Sequence, residues 1–215
     1  MVKKPLSIQL YTVRDVIAES NPVEVLQRIA DIGYEGVEGF GYGYSPQEFR
    51  RIVEDMGMVV SSYFGPIPNP QNITQIVETS QALGVKQFVT SFWIADYETV
   101  DDIRRTADTI APAVEALGSA GLEFCLHNHW FEYEKIDGKY KMQHLLEMVP
   151  GVKLEIDIYW AAAFGQNDPA EIVREYRSIT PLLHVKDGPL VQGEPHQALG
   201  DGKMDIAACL EAADP

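Results

Sequence analysis

The sequence predicts an α/β protein built on a parallel sheet. The expected form is a (β/α)8 TIM barrel, incomplete, with about seven strands and the eighth βα unit missing at the C-terminus. Three observations predict it. Short apolar runs alternate with longer amphipathic stretches along the chain, and glycine closes several helical stretches just before the next run. Strand–helix alternation with short connections means a parallel sheet. Polar residues gather at the C-terminal ends of many runs, and chemistry spread over the strand ends of a whole sheet is typical of a barrel. Neither GxGxxG nor GxxxxGK[ST] follows the first run, which argues against a nucleotide-binding open sheet.

The predicted strands are residues 6–13, 34–40, 58–64, 85–92, 123–130, 153–160 and 182–188. Each is seven or eight residues long and rich in Val, Ile, Leu, Phe and Tyr, as suits strands buried on both faces. Between them lie helices with recognisable ends. Asn21-Pro22 opens the first, Val25, Ile29 and Ile32 have helical spacing, and Gly33 stops it. Ser45-Pro46-Gln47-Glu48 is a capping box, with Gly57 as the stop. A third helix covers 71–83 and ends at Gly84. Asp96 is the expected cap of a long stretch to Leu117, which Pro112 kinks or ends. Further helices are expected over 142–148, from Asp168-Pro169 to Tyr176, and over 204–213.

At 215 residues the chain can bury one good core, so a single domain over 1–215 is expected. It has 17 Lys and Arg against 32 Asp and Glu, a net charge of −15. The basic residues do not cluster, so neither nucleic acid nor an anionic membrane is an expected partner. Cys125 and Cys209 sit among apolar neighbours and read as buried thiols in a reducing compartment. Lys3 and Lys4 precede no apolar run, and no stretch approaches the ~18 apolar residues of a membrane span. The expectation is a soluble, cytoplasmic protein.

The densest chemical cluster is His127-Asn128-His129-Trp130-Phe131-Glu132. In a strand, residues 127 and 129 point to the same side, so two imidazoles and a carboxylate can face one point. That suits a divalent metal or an acid–base pair, or a hydrogen-bonded polar plug in the barrel mouth. Asp157 stands in an apolar strand and needs a metal or a cation as partner. Glu155 shares its face and is expected deeper, or paired with a lysine. His184 and Lys186 share a face at the end of the last run. Imidazole suits a transition metal, and a partly buried lysine can stabilise an enolate oxygen or bridge to Asp187 or Glu155. Glu38 ends the second strand, and residues 39–43 with Tyr42 and Tyr44 read as an aromatic flap over a small polyol. Asp205 reads as an N-cap.

The segments Ser7-Ile8-Gln9-Leu10-Tyr11-Thr12-Val13-Arg14-Asp15, Gly33-Tyr34-Glu35-Gly36-Val37-Glu38, His127-Asn128-His129 with Phe131-Glu132, Asp157-Ile158-Tyr159-Trp160, His184-Val185-Lys186-Asp187 and Leu199-Gly200-Asp201-Gly202 resemble the sugar phosphate isomerase/epimerase family of xylose isomerase-like TIM barrels. The resemblance spans nearly the whole chain. It implies one divalent ion, most often manganese, with magnesium, cobalt or zinc as alternatives, held by a Glu, an Asp, a His and a second Glu. The Asp matches Asp157 and the His matches His184. The first Glu falls on the strand of His127, Asn128 and His129, so His129 or Glu132 is the expected ligand. The second Glu belongs to the eighth strand. Its absence implies a fragment, or a partner chain that completes the site as in a homo-oligomer.

The implied activity is metal-assisted proton transfer on a sugar, keto-sugar or cyclitol: isomerisation, epimerisation or dehydration. Glu132, His127 and Lys186 are the expected catalytic residues, and Glu38, Tyr11, Trp160 and Asn128 the expected substrate contacts. The isolated chain is expected to turn over poorly. The rivals are a degenerate barrel that binds a sugar or partner without turnover, and an endonuclease IV-like nuclease. The acidic charge and only five histidines disfavour the nuclease.

Overall fold

The structure, a computed structural model, describes residues 5–39 and 41–214. Lys3 and Lys4, and Phe40 at the end of the second predicted strand and within the predicted flap, lie outside the described residues. The chain divides into two compact units, Met1–Val89 with Ala116–Glu123, and Thr90–Glu115 with Phe124–Pro215.

In the first unit, β1 (Ser7–Gln9) leads through a 3-10 turn into α1 (Arg14–Ala18) and α2 (Pro22–Ile32). Then come β2 (Gly36–Glu38), α3 (Pro46–Asp55), β3 (Val59–Phe64), α4 (Ile73–Leu83) and β4 (Gln87–Thr90). The strands pair in parallel in the order β1-β2-β3-β4. The helix signals read from the sequence act locally as predicted. Asn21 accepts a hydrogen bond from the Val23 N–H at 2.9 Å. Ser45 and Glu48 form the reciprocal capping box. Gly33 and Gly84 end their helices in the left-handed conformation, open to glycine without a Cβ penalty. Val25, Leu26 and Ile29 bury the inner face of α2, whereas Ile32 in its last turn is 75% exposed. Phe49 and Val53 of α3 and Val37, Phe88 and Val89 of the strands are fully buried. Tyr63 meets Phe88 edge-on at 5.4 Å.

The second unit holds α5 (Val100–Ser119) as far as Glu115, β5 (Glu123–His127) from Phe124 on, the strands β6 (Lys135–Ile136) and β7 (Lys139–Tyr140), and α6 (Lys141–Met148). It continues with β8 (Lys153–Asp157), α7 (Ile158–Ala161), α8 (Pro169–Tyr176), β9 (Leu182–His184) and α9 (Ile206–Ala213). β5, β8 and β9 pair in parallel in that order. Asp168 and Asp205 cap α8 and α9 through the N–H groups of Ala170, Glu171 and Ala208. Asp205 is thus an N-cap, as predicted. Cys125 and Cys209 are buried free thiols, and burial pushes the Cys209 thiol up to about 11.

All seven predicted strands exist, but each is shorter than its apolar run. Residues 10–13 wind into a 3-10 turn and Ile158–Ala161 into α7. Apolar composition alone cannot separate a strand from a short buried helix. The long helix also differs from expectation. Asp96 accepts from the Trp93 N–H and caps the preceding 3-10 turn instead. The Thr99 N–H donates to Asp102 Oδ2, and the Asp102 N–H to Thr99 Oγ1, so Thr99 caps α5. Pro112 lies inside the helix, which continues to Ser119. Ile110, Ala113 and Leu117 on one face are buried, and that packing outweighs the lost hydrogen bond. The antiparallel pair β6–β7 was not predicted. Its signal is Asp137-Gly138, both at positive φ, a two-residue hairpin turn.

Candidate functional site

Three strand ends of the second unit build the site. β5 ends at His127, β8 at Asp157 and β9 at His184. Register places His127 beside Glu155 and Asp157 beside His184. One ligand atom each from His127, Asp157 and His184 lies within 4.8 Å of the others. His184 Nδ1 is 4.0 Å from Asp157 Oδ2.

One layer deeper lies Glu155, buried as the pleat predicted. Two imidazoles meet it: Oε2 is 3.3 Å from His127 Nδ1 and 3.2 Å from His184 Nε2. The lysine goes to Asp157, where Lys186 Nζ is 2.6 Å from Oδ2. The expected alternatives for Lys186 were Asp187 and Glu155. Asp157 Oδ1 accepts from the N–H groups of Tyr159 and Trp160, each at 3.1 Å. The carboxylate thus starts α7 and ties Trp160 to the site.

The rings of His127 and His129 meet edge-on, 5.5 Å between centroids, and His127 is the one whose ring nitrogen joins Asp157 and His184. The side-chain alternation behind the pairing of 127 with 129 ends where β5 ends, at His127. The His129 N–H donates to Glu132 Oε2 at 2.9 Å, and His129 Nδ1 is 3.7 Å from Oε1. The His129 ring stacks on Phe131 at 5.5 Å. The atoms that meet Asp157 and His184 therefore belong to His127, where the sequence reading had favoured His129 or Glu132. Burial pushes the Glu132 carboxyl above the ordinary range, against the opposing pull of His129. Asn128, expected to touch substrate, clamps the backbone of Asp157: Oδ1 accepts its N–H at 2.9 Å and Nδ2 donates to its C=O at 3.2 Å.

Trp160 is half-buried, 5.6 Å from Trp130 and 6.1 Å from Phe164, and Lys186 Nζ lies 6.0 Å from its ring. Ala163 and Phe164 both have positive φ, a strained turn that lays Phe164 against the two indoles. Tyr11 and Glu38 belong to the first unit. Tyr11 is exposed with the Arg14 guanidinium over its ring, and Glu38 is buried and accepts from Ser62 Oγ at 2.6 Å.

Two features escaped the sequence reading. Asp187, buried, accepts the N–H groups of Gly188, Gly200, Gly202 and Met204. Desolvation raises its pKa, but these four donors together hold the carboxyl below the usual range. The other is His196, whose ring lies 4.6 Å from Tyr159 and 5.1 Å from Trp160. Partial burial, then Lys186, lower its pKa. No pattern marks a lone histidine in a loop, but the Gly200-Asp201-Gly202 turn following an HxKD segment was a signal for the anchor.

Residues 26–214 match the family model for the xylose isomerase-like TIM barrel. The chain belongs to this family. No curated protein matches it significantly. Among solved structures, a sugar phosphate isomerase/epimerase from Parabacteroides distasonis ATCC 8503 aligns with a TM-score of 0.77 at 24% identity, covering 99% of this chain and 83% of that one. The probable 3-DHS dehydratase AsbF of petrobactin synthesis from Bacillus anthracis gives 0.77 at 12% identity, covering 97% and 88%. The IOLI protein, solved with a bound zinc atom, gives 0.76 at 15% identity, covering 98% and 84%. These likenesses establish the xylose isomerase-like fold, and with it the barrel that the strand-end pattern predicted. Among the described residues no helix is long and apolar enough to cross a membrane.

Proposed function

We propose that this xylose isomerase-like barrel is a divalent-metal-assisted isomerase, epimerase or dehydratase of a sugar, keto-sugar or cyclitol. The observation that carries the reading is the convergence of His127, Asp157 and His184 on one point. Two imidazoles and a carboxylate form a donor set suited to manganese, cobalt or zinc, and a cluster otherwise buried beside Glu155 gains from a cation. His127, Asp157 and His184 would hold the ion. Bound, it would polarise a carbonyl and an adjacent hydroxyl and so acidify the intervening C–H.

The chain's own groups have separable tasks. Glu155, against both imidazoles, orients them and raises their basicity. Asn128 and the α7 N–H groups lock Asp157. Lys186 offers a cation for a developing enediolate oxygen. Glu132, whose buried carboxyl holds its proton more readily than an ordinary carboxylate, is suited to exchange that proton with substrate. Trp160 supplies an apolar face for a sugar ring.

The Lys186–Asp157 ion pair favours a second reading, a barrel that binds a sugar without metal or turnover, because the carboxylate already has a countercharge. One experiment separates the two. The purified chain is loaded with Mn2+, its metal content measured, and deuterium incorporation from D2O followed by NMR on a panel of ketohexoses and inososes. The proposal expects bound metal and exchange at the carbon next to the carbonyl, both lost in Asp157→Ala. Sugar binding with neither metal nor exchange would replace it with the second reading.

A further inference from the structure

The segment 188–204 between β9 and α9 contains no helix or regular strand, and residues 191–200 are all exposed. His196, though exposed, sets its ring edge-to-face against Tyr159 and Trp160, with centroids 4.6 and 5.1 Å away. Trp160 is in turn held to Asp157 through its N–H. The loop's course is set at its root. Asp187 gathers four loop N–H groups, its carbonyl accepts from the Gln197 N–H at 3.0 Å directly after His196, and the Lys203 N–H closes on Gly188 O at 2.9 Å.

We propose that His196 is a specificity-determining residue of the sugar site, standing as a polar wall beside the Trp160 ring. The inference rests on the carbohydrate reading given above. A sugar lies with its C–H face on an indole and its hydroxyls at the ring edge. Neutral imidazole presents one donor and one acceptor there, and so distinguishes hydroxyl configurations that the flat indole does not. Asp187 acts as a positioning residue, since it fixes the loop that carries the imidazole.

The test measures binding of D-fructose, D-psicose and myo-inositol to the Mn2+-loaded full chain by saturation-transfer NMR. The proteins are wild type, His196→Ala, His196→Phe and His196→Asn, with thermal unfolding followed for each. Loss of a hydrogen bond to a hydroxyl predicts binding weakened about three- to tenfold in both Ala and Phe, with a changed preference among the sugars. Asn should recover part of the loss, and the melting temperature should not move. Three outcomes overturn the inference: no binding of any of the sugars to wild type, equal affinity in all four proteins, or wild-type affinity in Phe, which would reduce the role to stacking. Deuterium exchange is measured in the same samples. Its absence beside the predicted binding pattern would remove the proposed reaction and leave the His196 subsite standing.

Discussion

Lys186 Nζ lies 2.6 Å from Asp157 Oδ2, so the carboxylate that ends β8 takes its countercharge from the segment just after β9. Asp157 is fully buried, while the lysine side chain keeps 24% of its surface in water. A buried carboxylate with no partner is costly, and this contact meets that need within the chain itself.

A metal ion held by Asp157, as proposed, would compete with Lys186 for that oxygen. Lys186→Met should lower the stability of the metal-free protein by about 1–3 kcal/mol, below the usual range for a fully buried pair because the lysine is partly solvated. The same variant should bind Mn2+ more tightly. Urea denaturation with and without Mn2+, together with calorimetric titration, checks both signs. Unchanged metal affinity would mean that the ammonium does not occupy the ligand position.

Asp157→Asn separates charge from shape. The amide oxygen can still accept from the Tyr159 and Trp160 N–H groups, so α7 should persist in the far-UV spectrum. Mn2+ affinity should fall at least about tenfold, because a neutral amide is a poorer ligand than a carboxylate. Equal affinity in mutant and wild type would place the metal elsewhere.

Asp187 provides a pH signature. Its folded pKa lies below the ordinary 3.8, so the folded state favours the carboxylate. That stability is complete above the unfolded value and is lost as pH falls through the folded one. Wild type should therefore exceed Asp187→Asn in stability at pH 7, and the gap should narrow below about pH 3.8. Denaturation curves at several pH values test it, and a gap that widened in acid would contradict the hydrogen-bond account.

Gly202 has no room for a side chain. A Cβ there would overlap Asp187 Oδ1 and the Gly188 nitrogen. Gly202→Ala should release the loop from its anchor at a cost of about 1–3 kcal/mol. Amide exchange should accelerate in 188–204 and stay unchanged in α2 and α3. Uniform exchange rates across the variant would show that the loop tolerates the methyl group.

Much of the architecture was legible because its causes are local. The caps at Asn21, Ser45, Asp168 and Asp205 need only a side-chain oxygen and nearby N–H groups, and the apolar runs mark every main strand. The site was legible in its membership and less so in its pairing. Asp157 and His184 meet as their motifs implied. The imidazole that lies with Asp157 and His184 is that of His127, at the last residue of β5, and alternation holds only within a strand.

By itself, then, the sequence determined the βα alternation, the helix ends and the set of residues that carry charge and imidazole. Each follows from period, turn chemistry or side-chain type within a few residues. Tertiary structure alone decided which partners those groups took: Glu155 with two imidazoles, Lys186 with Asp157, Asn128 with the Asp157 backbone, and Asp187 with a loop up to 17 residues away. Burial makes an unpaired polar group costly, so each took the nearest group that folding brought within hydrogen-bond reach, and that proximity is not written in any short stretch of chain.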